Sequence, residues 1–246
     1  MSGENYLDGY IYHMMHFDNL RNIFQRRAIL SKESVLQEII EYQSIAYEEV
    51  QGLRDRIFVW DSSKKAFRGL HSYVPFYFAT LTPMLFVQYK KGIQDEIVIF
   101  EVSRSILGKQ GVLFTDGNAS NQQLSKYSHE VVDIMPATPT RDNCRRRYRP
   151  NGPHGANANR TDFYSHVTFL ERLNWDVINN RWFMDDEKKR IKHAEVLVPD
   201  IFPLRGVQNI LVRTSNMVKR VNDLISECGL AERIPWAMCR PNLYFE

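Results

Sequence analysis

At 246 residues, with 43% hydrophobic and 25% charged positions, the chain has the composition of a soluble globular protein, long enough to bury a sizeable core. No stretch approaches the roughly 20 apolar residues of a membrane helix, and MSGENYLDGY lacks a basic region followed by an apolar one, so a cytoplasmic location is expected. The net charge of +3 is uneven: residues 141 to 160 hold six arginines against one aspartate, while the rest is slightly acidic, a distribution that suggests a polyanion partner or a solvated loop.

In chain order, GYIYHMMH has the aromatic and β-branched content of a strand. Asp18 or Asn19 then caps a predicted helix carrying Leu20, Ile23, Phe24 and Leu30, and a second helix is predicted from Ser31 to Phe58, its apolar stripe broken at Gln43. The strand VPFYFA leads to a helix that Thr82 caps and Pro83 opens. Its alternation sends Phe76 and Phe78 to one face and Tyr77 to the other. EIVIFEVSRS and GVLFTDG read as strands, and Ala119 to Arg160 as a functional loop or insertion, too long and aperiodic for an ordinary connection. DFYSHVTFLERLNWDVINNRWF reads as helix. The strands EVLVPD and NILVRT follow, then a helix SNMVKRVNDLISECGL ending at Gly229, and a last strand PWAMCR. One α+β domain with a mixed, twisted sheet accounts for this order.

Common signatures are absent: no GxGxxG after a strand, no GxxxxGK[ST], no HExxH and no GxSxG. Cys144, Cys228 and Cys239 have no zinc-site spacing and read as free thiols. What remains is a set of single residues. His13 ends the first predicted strand, where an open sheet leaves a ligand crevice, although a lone histidine is more often a core or surface residue. Arg54, taken alone, is a solvated cation. Glu195 stands at the mouth of VLV, after Lys188, Lys189, Arg190 and Lys192, whose charges would favour its ionised form.

Together, YIYHMMHFDNL, QSIAYEEVQGLRDR, LHSYVPFYFATLTPML, FTDGNAS, HAEVLVPD and CRPNLYF resemble the DarT family, DNA ADP-ribosyltransferase toxins of bacterial toxin-antitoxin systems. The likeness covers nearly the whole chain, and VPFYF…PML and AEVLVP are its most specific parts. It implies an ADP-ribosyltransferase-like fold over residues 1 to 246, with NAD as co-substrate and no metal. It also implies transfer of ADP-ribose to a base of single-stranded DNA. By position, His13, Met14 and Met15 line the NAD site, with His13 at the adenosine ribose, and Asn22 and Leu30 make further cofactor contacts. Residues 38 to 55 fold over NAD, Arg54 and Glu195 are catalytic, and residues 119 to 195 recognise the substrate. Met15 departs from the family's frequent Thr, and the arginine-rich stretch looks like an insertion relative to shorter members. An antitoxin with macrodomain-type ADP-ribosyl-hydrolase activity is the implied partner.

Cleaving nicotinamide from ribose passes through an oxocarbenium-like transition state, which a fixed carboxylate such as Glu195 stabilises more than the ground state. Tyr77 and Phe78 are candidates to stack on the nicotinamide. Arg54 stays charged to about pH 12, so binding the NAD phosphates or orienting the acceptor suits it better than proton abstraction. Arg145, Arg146, Arg147, Tyr148 and Arg149 supply phosphate contact and stacking for a single strand. Thymine is the favoured acceptor. Guanine, an NAD glycohydrolase with water as acceptor, and a non-catalytic nucleic-acid-binding domain are the competing readings.

Overall fold

The computed structural model describes residues 6–46, 48–61, 63–120, 146–148 and 161–246, with backbone alone at 48, 49 and 146–148. In chain order it gives β1 (Tyr10–His16), α1 (Leu20–Arg26), β2 (Ala28–Leu30), α2 (Lys32–Gln37), α3 (Glu48–Arg54), β3 (Ile57–Asp61), β4 (Ala66–Gly69) and β5 (Tyr73–Tyr77). Then come α4 (Pro83–Lys90), β6 (Ile97–Ser103), β7 (Leu113–Asn118), β8 (Arg146–Tyr148), β9 (Phe163–Tyr164), α5 (Trp175–Asn179) and α6 (Asp186–Lys192). The chain closes with β10 (Ala194–Pro199), β11 (Ile201–Pro203), β12 (Val207–Val212), α7 (Ser215–Glu227) and β13 (Ala237–Cys239).

Eight strands form one mixed sheet in the order β13-β12-β6-β1-β5-β10-β7-β9, antiparallel except for the β12–β13 pair. Alternation decides what each face carries. Ile11 and Met15 of β1, Val74 and Phe76 of β5, Val98, Phe100 and Val102 of β6, and Val196 and Val198 of β10 enter one continuous core, which α1 and α7 cover with Leu20, Phe24, Val221 and Ile225. The opposite face is covered in two separate places. Near β6 and β12, Met14, Ile97, Ile99 and Leu211 pack with Leu85, Tyr244 and Phe245. Near β7, Tyr73, Leu113 and Leu197 pack with Ile57 and Val59 of β3. The gap between these two clusters is where Glu195 and Tyr77 lie.

Local signals explain several boundaries. Thr82 Oγ1 accepts from the Leu85 amide at 3.2 Å with Pro83 at the first helical position, and Gly229, at φ +65°, follows the C-cap of α7. Two helical readings are corrected. Residues 31 to 58 are not one helix: α2 stops at Gln37, where Ile39 takes φ +54° and the amides of Ile39 and Ile40 bond back to Leu36 and Val35. A β-branched residue in this left-handed region costs about 1 kcal/mol or more, and Ile39 is 90% exposed, so its side chain recovers nothing by burial. The following segment instead runs back against the start of α1. Asn19, rather than capping α1, accepts from the Gln43 amide at 2.7 Å and donates to the Gln43 carbonyl at 2.9 Å, and Asn22 Nδ2 donates to Glu41 O. Leu30 lies in β2 beyond the end of α1.

The segment 162 to 183 is likewise broken. Phe163 and Tyr164 pair with β7, Val167–Arg172 form a 3-10 helix, and Leu173 is extended before Asn174 caps α5 through its Oδ1. Within the arginine-rich stretch, Arg146–Tyr148 form β8, parallel to β3.

Candidate active site

The site grows out of one irregularity in the sheet. β1 pairs with β6 along its whole length, from Tyr10 to His16, yet its register with β5 holds the single pair Tyr12↔Tyr77. Past that pair the facing edges of β1 and β5 are bridged by a side chain: His13 Nδ1 lies 2.8 Å from Pro75 O. A carbonyl can only accept, so Nδ1 carries the proton and Nε2 of the neutral ring is left as an acceptor. Burial holds the ring neutral, pushing its pKa down to about 4.

On the next strand, β10, Glu195 stands opposite Tyr77. Its side chain is buried, 2% exposed for the residue, and both carboxylate oxygens accept from Nη1 of Arg54, at 3.1 and 2.9 Å. Arg54, in the last turn of α3, is itself only 7% exposed. Glu195, Arg54, Tyr77, His13 and Met14 line a cleft of about 280 Å³. A second cavity, about 190 Å³, is lined by Met15, Asn22, Leu30, Ile40 and Tyr42. His13, Lys32 and Pro75 line both, so the two meet at the notch between β1 and β5. Ile40, Tyr42, Ile45, Ala46, Val50, Gln51 and Arg54, all from the segment 38 to 55, contribute to the walls.

This arrangement suits a long ligand with two ends and a charged centre at one of them. A buried carboxylate held by one guanidinium nitrogen keeps its negative charge fixed beside the cleft, where a low local dielectric strengthens its action on any developing cation. Burial and the charge of Glu195 push the Tyr77 phenol above its usual value, so it stays neutral; its hydroxyl donates weakly to Met84 Sδ at 3.6 Å. The family model described as ssDNA thymidine ADP-ribosyltransferase, DarT, matches residues 12–137 and 153–245.

The chain belongs to the DarT family. It is accordingly a DNA ADP-ribosyltransferase. A DNA ADP-ribosyl transferase of Thermus sp. (strain 2.9) is 26% identical over 243 residues, 96% of this chain and 95% of its own. The solved DarT of Thermus sp. 2.9 in complex with ADP-ribosylated ssDNA matches with a TM-score of 0.73 and 25% identity, covering 96% of each chain. The fold is shared too with Thermosipho africanus DarTG in complex with ADP-ribose, at a TM-score of 0.64 and 20% identity, over 96% of this chain and 51% of that one.

Within this DarT chain the structure brings together His13, Met14, Arg54, Tyr77 and Glu195 at the large cleft, and Met15, Asn22 and Leu30 at the small one. Phe78 is a correction. It points into the main core, edge-on to Phe114 and to Trp175, on the face opposite Tyr77, so it has no access to the cleft. The charge partner of Glu195 is also corrected. Lys188 pairs with Asp185, Lys189 with Asp186 and Arg190 with Glu187 and Asp116. Lys192 donates to the carbonyls of Ile178 and Asn180, and burial lowers its pKa to about 8. The cation comes from Arg54, 141 residues away in sequence. Arg145 and Arg149 lie outside the described residues, as do the side chains of Arg146, Arg147 and Tyr148.

Several lining residues escaped the sequence reading. His193 is the C-cap of α6, one residue before β10 begins, so alternation along the strand does not reach it; its Nδ1 donates to Lys189 O at 2.9 Å and burial lowers its pKa. His71 had no signal either. Its Nε2 lies 2.8 Å from Asp55 Oδ1 and 3.2 Å from Gln51 O, while burial, then Lys32 and Arg54, lower its pKa.

His13 makes a pH-dependent contribution that can be measured. Its folded pKa lies below the ordinary 6.5, so native stability is complete above pH 6.5 and falls as pH drops toward 4, where the unfolded chain binds a proton that the native one refuses. Replacing His13 by Gln is expected to flatten this limb of the stability profile by at most ~3 kcal/mol. Urea unfolding at pH 7 and pH 4.5 measures it; profiles that fall in parallel would contradict a half-buried ring held neutral in the fold.

Proposed function

We propose that this chain transfers ADP-ribose from NAD to thymine in single-stranded DNA, with Glu195 as the carboxylate that stabilises the cationic sugar. The observation that carries this reading is the buried Glu195–Arg54 pair lining the larger of two cavities that meet at the notch between β1 and β5. NAD is the co-substrate. Its nicotinamide riboside end belongs in the larger cleft, against the Tyr77 ring, and its adenosine end in the smaller one beside Asn22 and Leu30, with His13 Nε2 accepting from a ribose hydroxyl between them. Residues 38 to 55 cover it. Met15 offers an apolar wall without a hydroxyl.

As the glycosidic bond breaks, the electron pair leaves with nicotinamide and positive charge spreads over the sugar ring. Glu195 faces that charge with a fixed anion whose partner, Arg54, remains protonated throughout. A base nitrogen then bonds to the anomeric carbon and gives up its proton to water. Nothing about Arg54 favours proton abstraction, since its Nη1 is engaged by both oxygens of Glu195. Residues 141 to 160 supply the positive charge that draws in a single strand, with Arg145, Arg146, Arg147, Tyr148 and Arg149 at their centre.

An adduct of this size on a base obstructs pairing and copying, so the chain acts as a cytoplasmic toxin, and its partner is a macrodomain-type hydrolase that removes the adduct. The test is to mix protein, NAD and single-stranded oligonucleotides of differing base content and weigh the products. Growth by one ADP-ribosyl group in thymine-containing strands, with ADP-ribosyl-thymidine among the released nucleosides, is expected. Modified guanosine instead would replace the thymine assignment, and free ADP-ribose formed equally fast without DNA would replace transfer by hydrolysis.

A further inference from the structure

The main chain beneath Glu195 is irregular on the side away from Tyr77. Phe114 of β7 pairs with Val196 and Asn118 with Ala194, so three β7 residues, 115 to 117, stand opposite Glu195 alone. Such a bulge takes away the strand carbonyl that a regular antiparallel ladder would offer to the Glu195 amide, and a buried amide without an acceptor is costly. A side chain fills the place. Thr115 Oγ1 accepts from the Glu195 N–H at 3.0 Å and donates its own proton to Gly117 O at 2.6 Å.

Thr115 is fully buried, so solvent does not compete for its hydroxyl. The bulge itself is braced. A Cβ on Gly117 would lie 2.3 Å from Arg190 Nη1, and that guanidinium pairs with Asp116 at 3.5 Å while Asp116 accepts from the Asp162 amide at 2.9 Å. Glu195 is thus held twice, by Arg54 at the carboxylate and by Thr115 at the backbone. A shift of about 1 Å in a reacting group costs up to about 100-fold in rate, so the second hold matters for the chemistry as well as the fold.

We propose that Thr115 is a positioning residue whose hydroxyl replaces the missing strand carbonyl and fixes the main chain of Glu195 relative to the sugar. The inference rests on the reading of Glu195 given above. Three variants, Thr115→Val, Thr115→Ser and Glu195→Gln, separate the two. Thr115→Val keeps the shape and loses the hydroxyl. Its kcat for transfer to single-stranded DNA is expected to fall about 10- to 100-fold with KM for NAD within about threefold, while Thr115→Ser stays within about threefold of the unaltered chain. A Val variant at full kcat, or a Ser variant as slow as Val, overturns the inference. Should Thr115→Val fail to fold, amide exchange at Glu195 in the unaltered chain decides: a strongly protected N–H supports the hydroxyl contact, and fast exchange overturns it. Glu195→Gln at full activity would instead remove the reading on which the inference rests.

Discussion

Arg54→Ala is expected to destabilise the fold by about 3–5 kcal/mol near neutral pH, the largest stability effect of any single change at the site. The reason is what it leaves behind. Glu195 is buried, and both its oxygens bond to Nη1 of Arg54, so removing the guanidinium strands a carboxylate with no cation. Lys192, the nearest lysine in sequence, cannot substitute, because the carbonyls of Ile178 and Asn180 already hold it. The effect is separable from lost packing by a double-mutant cycle. Arg54→Ala combined with Glu195→Gln should lose less stability than the sum of the two single changes, since the amide needs no counter-charge. Urea unfolding of the four proteins at pH 7 measures the coupling. Additive losses would mean that the two groups act independently, contrary to the contact.

Glu195→Gln is expected to lower the rate of ADP-ribose transfer about 10²- to 10³-fold at saturating NAD while leaving NAD affinity within a few-fold. The amide keeps the size of the acid and one acceptor oxygen but removes the negative charge. A loss confined to kcat identifies an interaction made mainly in the transition state, whereas a loss confined to KM would make Glu195 a ground-state contact only. Single-turnover transfer to an oligonucleotide, with a melting curve to confirm folding, distinguishes them.

Sequence pattern revealed much of the frame and some of the site. The runs IVIF and VLV became β6 and β10, and the Thr82–Pro83 start of α4 and Gly229 after α7 follow from cap chemistry alone. Alternation placed Tyr77 opposite Phe76 and Phe78. The same rule argued against Phe78 as a cleft residue, because a position on the core face cannot also serve the ligand. The break between α2 and α3 was hidden for a physical reason. Ile40, Ala46 and Val50 fall on one apolar stripe at helical spacing, but they line cavities rather than a core, and periodicity cannot tell a ligand wall from a packed face.

Long-range contacts were the other blind spot. His13 reaches Pro75 across 62 positions and Arg54 reaches Glu195 across 141, and no local pattern encodes either. The resemblance of six short blocks to the DarT family named Arg54 and Glu195 as separate residues, whereas the ion pair between them is visible only in the folded chain. Thr115 lies in FTDGNAS, one of the blocks that carry the resemblance, but nothing set it apart there, since a threonine in a β-run reads as an ordinary strand residue.

The most direct test of the central claim is a crystal structure of this chain with an NAD analogue that resists cleavage. The nicotinamide riboside is expected in the larger cleft, with a ribose hydroxyl within roughly 2.6–3.2 Å of the Glu195 carboxylate and the adenosine beyond His13 against Asn22 and Leu30. An analogue bound away from the notch between β1 and β5, or one whose ribose does not touch Glu195, would contradict it.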